Sequence, residues 1–163
     1  MHTIFIIFGL MKREEAIDYN VKAAWHAISR MYNQQAIQNG ITTSIGFVLL
    51  NINTKEGTPA TKIAPLMGLE SRSLTRMLKN MEEKGLIYKK PDLEDKRSVK
   101  IFLTEKGIEK KAISRQTVKV FNEEVFSRLS EAQLKAFYET IHTINDIIDE
   151  NEIYKTEVKQ TDN

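Results

Sequence analysis

Two stretches of the chain carry side chains whose types and spacing suit contact with a polyanion. The first is Ser71-Arg72-Ser73-Leu74-Thr75-Arg76-Met77-Leu78-Lys79. At the helical period Leu74, Met77, Leu78 and Met81 fall on one apolar face, so Ser71, Arg72, Ser73, Thr75, Arg76 and Lys79 share the other, three cations among short hydroxyls. A helix with such a face suits a major groove, where a guanidinium reads guanine acceptors and hydroxyls reach phosphates or base edges. The second stretch is Asp95-Lys96-Arg97, inside a charged run. Arg97 suits insertion into a minor groove, whose narrow A·T tracts concentrate negative potential, with Lys96 beside it as a further contact. Thr61 and Lys62, just ahead of the first stretch, are counted as DNA contacts too. Asp95 repels phosphate, so its role is to support Arg97 or a helix arginine. Each feature has a plainer reading, a solvated helix face or a turn pair worth under about 1 kcal/mol. Two cationic stretches side by side decide for nucleic acid.

Other chemistries find little support. The chain has no cysteine, which removes disulfides, thiolate metal sites and thiol nucleophiles, and points to a reducing compartment such as the cytoplasm. His2, His26 and His142 are scattered and lack a helical carboxylate partner, so no metal site and no cofactor are expected. No phosphate loop, nucleophile elbow or paired-acid motif appears, so no enzyme is expected. The net charge is only +2, but residues 61–106 hold 11 basic and 7 acidic side chains and are +4, which leaves −2 for the rest. A basic middle between acidic flanks is an electrostatic footprint for DNA. The apolar run Ile4–Phe8 is far shorter than the roughly 20 residues of a membrane span. Residues 1–10 read either as an extension from an upstream start, with Met11 the original start, or as a segment packed on a partner helix.

The elements that must position these groups follow from periodicity and punctuation. Ala16, Ile17, Val21, Ala24, Trp25, Ile28, Met31 and Tyr32 recur at helical steps and predict a long helix over 14–38, stopped by Asn39-Gly40. Thr42-Thr43-Ser44 caps a second helix with Ile45, Val48, Leu49 and Ile52 on its apolar face. Thr58-Pro59 has the form of an N-cap and first helical proline, and opens a third helix that Pro65 should kink or shorten before Gly68. With the helix ending at Lys84-Gly85 it makes a helix-turn-helix. Leu86–Tyr88 and Val99–Leu103 read as strands of a β-hairpin, a wing, with 91–96 as its charged loop. A long helix follows Thr104-Glu105-Lys106-Gly107, through Ile113, Thr117, Phe121, Val125 and Leu129. Ser130-Glu131-Ala132-Gln133 is a capping box for a last helix striped with Leu134, Phe137, Tyr138, Ile141, Ile144 and Ile148. Past Asn151 the periodicity fades, and 152–163 is expected to be a disordered tail.

This order of elements, over residues 11–151, resembles the multiple-antibiotic-resistance regulator (MarR) family. Ser73-Leu74-Thr75-Arg76-Met77-Leu78-Lys79-Asn80-Met81-Glu82-Glu83-Lys84-Gly85-Leu86-Ile87 is similar to its recognition helix and exit. Asp95-Lys96-Arg97-Ser98-Val99-Lys100-Ile101-Phe102-Leu103-Thr104-Glu105-Lys106-Gly107 is similar to its wing signature, Asp-x-Arg before a strand that ends in Leu-Thr and a Gly. The resemblance implies a mainly α, winged helix-turn-helix fold with a two- to three-stranded wing. Helices about 14–38 and 105–150 would form a homodimer, and the lobe about 42–104 would read a pseudo-palindromic operator. It also implies a pocket, partly walled by the first helix, for a small aromatic or lipophilic effector; Trp25, His26, Phe47 and Leu50 are its candidates, against ordinary core packing. The resulting function is a ligand-responsive transcriptional repressor. The rival is a winged-helix module that binds another protein and no DNA.

Overall fold

The computed structural model describes residues 12–68, 70–92, 99–150 and 153. The expectations for residues 1–10, for Asp95, Lys96 and Arg97, and for nearly all of 152–163 lie outside them. The chain divides into two compact units, Met1–Val118 and Lys119–Asn163.

In the first unit a 3-10 turn at Arg13–Glu15 precedes α1 (Ile17–Gln38), so α1 begins three residues later than its apolar pattern suggests. It ends in a Schellman motif: Gly40 takes φ 70°, its N–H reaches the Ile37 carbonyl, and the Ile41 N–H reaches that of Ala36. Helix α2 (Thr43–Leu50) is capped by Thr42, whose Oγ1 accepts from the Ile45 N–H at 3.3 Å.

Thr58 and Pro59 depart from the expected helix start. They form a short strand, β1, against β3 (Val99–Leu103), with Thr58 opposite Ile101 and Pro59 opposite Lys100. The Thr58 hydroxyl is drawn to the preceding loop, accepting from the Asn53 N–H at 2.8 Å and donating to the Asn51 carbonyl at 3.3 Å. It is therefore not spent on a cap, and α3 (Ala60–Leu66) starts without one. Pro65 lies in the last turn of α3, which runs only seven residues, the shortening its missing N–H predicts.

Helix α4 (Ser71–Glu83) closes in a second Schellman motif, with Gly85 at φ 66° and the Leu86 N–H on the Met81 carbonyl at 2.9 Å. Strand β2 (Ile87–Pro91) pairs antiparallel with β3, giving the order β1-β3-β2. The core gathers Ile41, Ile45, Val48, Leu49, Ile52, Ile63, Ala64, Leu74, Leu78, Met81, Leu86, Ile87, Ile101 and Leu103. Helix α5 (Glu105–Arg128) starts at Thr104, whose Oγ1 accepts from the Gly107 N–H at 3.0 Å and donates to the Gly85 carbonyl at 2.7 Å.

In the second unit, α6 (Glu131–Glu150) begins with the predicted capping box: the Gln133 N–H donates to Ser130 Oγ at 3.3 Å, and the Ser130 N–H to Gln133 Oε1 at 2.9 Å. No helix among the described residues is long and apolar enough to cross a membrane.

Candidate nucleic-acid interface

Burial of Leu74, Leu78 and Met81 fixes the rotation of α4 about its axis and leaves Ser71, Arg72, Ser73, Thr75, Arg76 and Lys79 exposed. The predicted cationic face thus stands free of the core. Among the described residues neither Arg72 nor Arg76 has an ion-pair or hydrogen-bonding partner. Lys79 lies 3.9 Å from Glu83 with both side chains mostly exposed, a contact worth little and readily exchanged for a phosphate. Thr75 donates its hydroxyl hydrogen to the Ser71 carbonyl at 2.8 Å, which leaves its oxygen as an acceptor only. Thr61 and Lys62 are exposed on α3.

The helix and the sheet are tied together at the middle of β2 and at its start. Lys89 donates to Glu82 of α4 at 2.7 Å. Just before its start, Lys106 Nζ caps the Lys84 carbonyl at 2.9 Å, and the Thr104 N–H meets the Leu86 carbonyl at 3.1 Å. The Leu-Thr-x-x-Gly part of the wing signature is therefore a structural joint between α4, β3 and α5.

A second feature of the same unit is an open pocket of about 350 Å3, mouth included, between α1, α2 and α5. Phe47 and Leu50 line it, as do Tyr32, Thr43, Ser114 and Thr117; Trp25 and His26 do not. Trp25 instead stacks on Phe47 at 5.9 Å, and Tyr32 meets the same ring edge-on at 6.0 Å. His26 is exposed on α1. No lining residue is charged. Ser114 and Thr117 give their hydroxyl hydrogens to the Lys110 and Ile113 carbonyls, so their oxygens face the pocket as acceptors. Thr43 Oγ1 is buried without a hydrogen-bond partner. Burial pushes the Tyr32 phenol above its ordinary pKa, so it stays neutral. These polar groups form no motif in the sequence. The available signal was Thr117, a hydroxyl in the otherwise apolar four-step series of α5.

Lys111, also unremarked in the sequence, is buried on α5 and donates to the Ile52 carbonyl just past the end of α2. Burial, and secondarily the positive charge of Arg115, lower its pKa.

Comparison with known proteins converges on one family. The profile described as MarR family matches residues 41–99. The chain is 36% identical over 89 residues to the HTH-type transcriptional regulator TtmR of Methylorubrum extorquens (strain PA1), covering 55% of this chain and 46% of that one. It is 35% identical over 100 residues to the organic hydroperoxide resistance transcriptional regulator of Bacillus subtilis (strain 168), covering 61% of this chain and 68% of the relative. The matched region thus spans about half of the first relative and about two thirds of the second. In fold the chain is similar to S. aureus MepR in its DNA complex, with a TM-score of 0.74 at 22% identity, over 80% of this chain and 97% of that one.

Proposed function

Since this chain belongs to the MarR family, we propose that it is a sequence-specific transcription regulator that binds double-stranded DNA as a homodimer on a pseudo-palindromic operator. The observation that carries this reading is the exposed Arg72–Arg76 face of α4, free of ion pairs among the described residues and held in place by a packed apolar back and by the Lys89–Glu82 tie to the wing. Arg76 near the middle of the helix reads a base edge; Arg72, Lys79, Thr61 and Lys62 position the lobe on phosphates. Arg97 and Lys96 supply wing contacts, and Asp95 holds the wing. Titrating the protein with operator and random duplexes at several salt concentrations tests this, since DNA binding that releases counterions falls steeply with salt. A winged-helix module that binds only protein shows no such slope.

Dimerisation accounts for apolar surface that a monomer leaves in water. Ile17, Val21 and Trp25 on α1, Val120 and Phe126 on α5, and Phe137, Tyr138, Ile147 and Ile148 on α6 are all exposed. A two-fold pair covers such stripes and sets two recognition helices about 34–36 Å apart, one turn of DNA. The protein works in the cytoplasm and catalyses no reaction. Its effector is a small uncharged aromatic or lipophilic molecule. The pocket offers acceptor oxygens from Ser114 and Thr117 but no cation to receive a carboxylate. The ligand regulates by preferring one spacing of the two reading lobes, since only differential affinity shifts an equilibrium.

A further inference from the structure

We propose that Lys90 and Lys100 form a cross-strand clamp on one DNA phosphate at the base of the wing, an inference that rests on the DNA-binding reading above. The ladder sets Lys90 directly opposite Lys100, one residue pair before the ladder ends at Pro91–Val99. Opposed residues in an antiparallel pair have Cα atoms only about 4.5–5.5 Å apart, and like charges there destabilise the sheet. Repulsion within this pair works against the fold, and its neighbours on the same face are the aromatic pair Tyr88 and Phe102. Lys89, on the other face of β2, has Glu82; Lys90 and Lys100 have no carboxylate partner among the described residues.

Lys90 is also aimed. Its Nζ sits 5.4 Å from the centres of both the Tyr88 and Phe102 rings, which stack on each other at 5.4 Å with 15° between planes. A cation over two ring faces is held by their quadrupoles without losing its charge. The Phe102 ring is pinned in turn, because Gly57 lies so close that a Cβ there would come within 2.8 Å of it. Two ammonium groups carried by directly opposed residues of neighbouring strands, one of them pre-positioned over the rings, make a site for a compact dianionic or monoanionic oxygen cluster such as a backbone phosphate. A minor groove is about 6 Å wide, so a hairpin whose loop enters it brings the pair just behind the loop against the bordering phosphates. An acidic peptide would present carboxylates to the same lysines, but the exposed arginines of α4 in the same unit favour DNA.

The test uses the full chain and the variants Lys90→Gln, Lys100→Gln, the double change, and Phe102→Leu, each titrated with operator and random duplexes across a salt series. The double variant should bind both duplexes roughly tenfold more weakly at low salt and lose about 0.9 per subunit from the log K against log salt slope, the signature of one phosphate released. Phe102→Leu should weaken binding with the slope nearly kept, because the charges remain and only their placement is lost. Relief of like-charge repulsion with the ring contact of Lys90 kept should let Lys100→Gln unfold at a higher denaturant concentration than the parent, which separates lost contact from lost fold. Wild-type affinity and slope in the double variant, with Arg76→Ala still impaired on operator, would overturn the clamp and leave the DNA reading standing. The clamp would also fall if the double variant kept its DNA affinity and lost binding only to polyglutamate. A parent protein with no salt-dependent DNA binding would overturn both.

Discussion

The α-carbon of Gly107, in the first turn of α5, sits against the backbone carbonyl of Leu86, so closely that a Cβ there would overlap the carbonyl oxygen. Backbone cannot move aside as a side chain can. Gly107→Ala should therefore cost about 1–3 kcal/mol or more in chemical unfolding. Gly46→Ala, where the nearest atom is the Ser114 hydroxyl at 3.0 Å, should cost less. Equal losses at the two sites would contradict this account of the joint.

Lys111 gives the stability a particular pH dependence. Its folded pKa lies below the ordinary value of 10.5, chiefly through burial and then through Arg115. Between the folded and unfolded pKa values the unfolded chain binds more protons, so the Lys111 contribution to stability rises with pH through that alkaline window. Below the folded value the burial cost is fully present. The stability difference between the parent and Lys111→Met should shift in favour of the parent as pH climbs toward 10.5. A difference that is flat in pH would show that the amine is not desolvated in solution.

Much of this architecture was legible because it is written locally. Ser130 and Gln133, Thr42, and the glycines at 40 and 85 act within four residues of themselves, and each does what its spacing implies. What depends on distant chain was not. Thr58-Pro59 carries the letters of a helix start, yet its pairing with residues some forty positions later makes it a strand. Strand β2 runs on through Lys89 and Lys90, polar residues kept in the strand by their partners on β3. The exposed face of α4 was readable from period alone. The pocket was not, since Thr43 and Ser114 meet only in three dimensions.

The pocket predicts selectivity by charge. Trp25 stacks on Phe47, a lining residue, so its fluorescence should report occupancy. Neutral phenols and aromatic alcohols should change that signal and weaken operator binding, whereas matched benzoates should not, because no lining cation offsets carboxylate desolvation. Benzoates binding as tightly as their neutral counterparts would refute the assignment.

Phe137 and Ile148, 57% and 58% exposed on α6, test the dimer. Sedimentation of the parent should report a dimer at micromolar concentration, and Phe137→Asp with Ile148→Asp should shift it toward monomer and reduce operator affinity. An unchanged dimer would move the interface elsewhere.

The most direct test of the central claim is the affinity of Arg76→Ala for operator and for random duplex, measured beside the parent, Arg97→Ala and Asp95→Ala over a salt series. Arg76→Ala should lose about 1–3 kcal/mol on the operator and little on random DNA, because a guanidinium reading a base edge matters only where that base is present. Arg97→Ala should weaken both duplexes and lower the salt slope, and Asp95→Ala should weaken binding despite its more favourable charge. Unchanged affinity in all three variants would contradict the account.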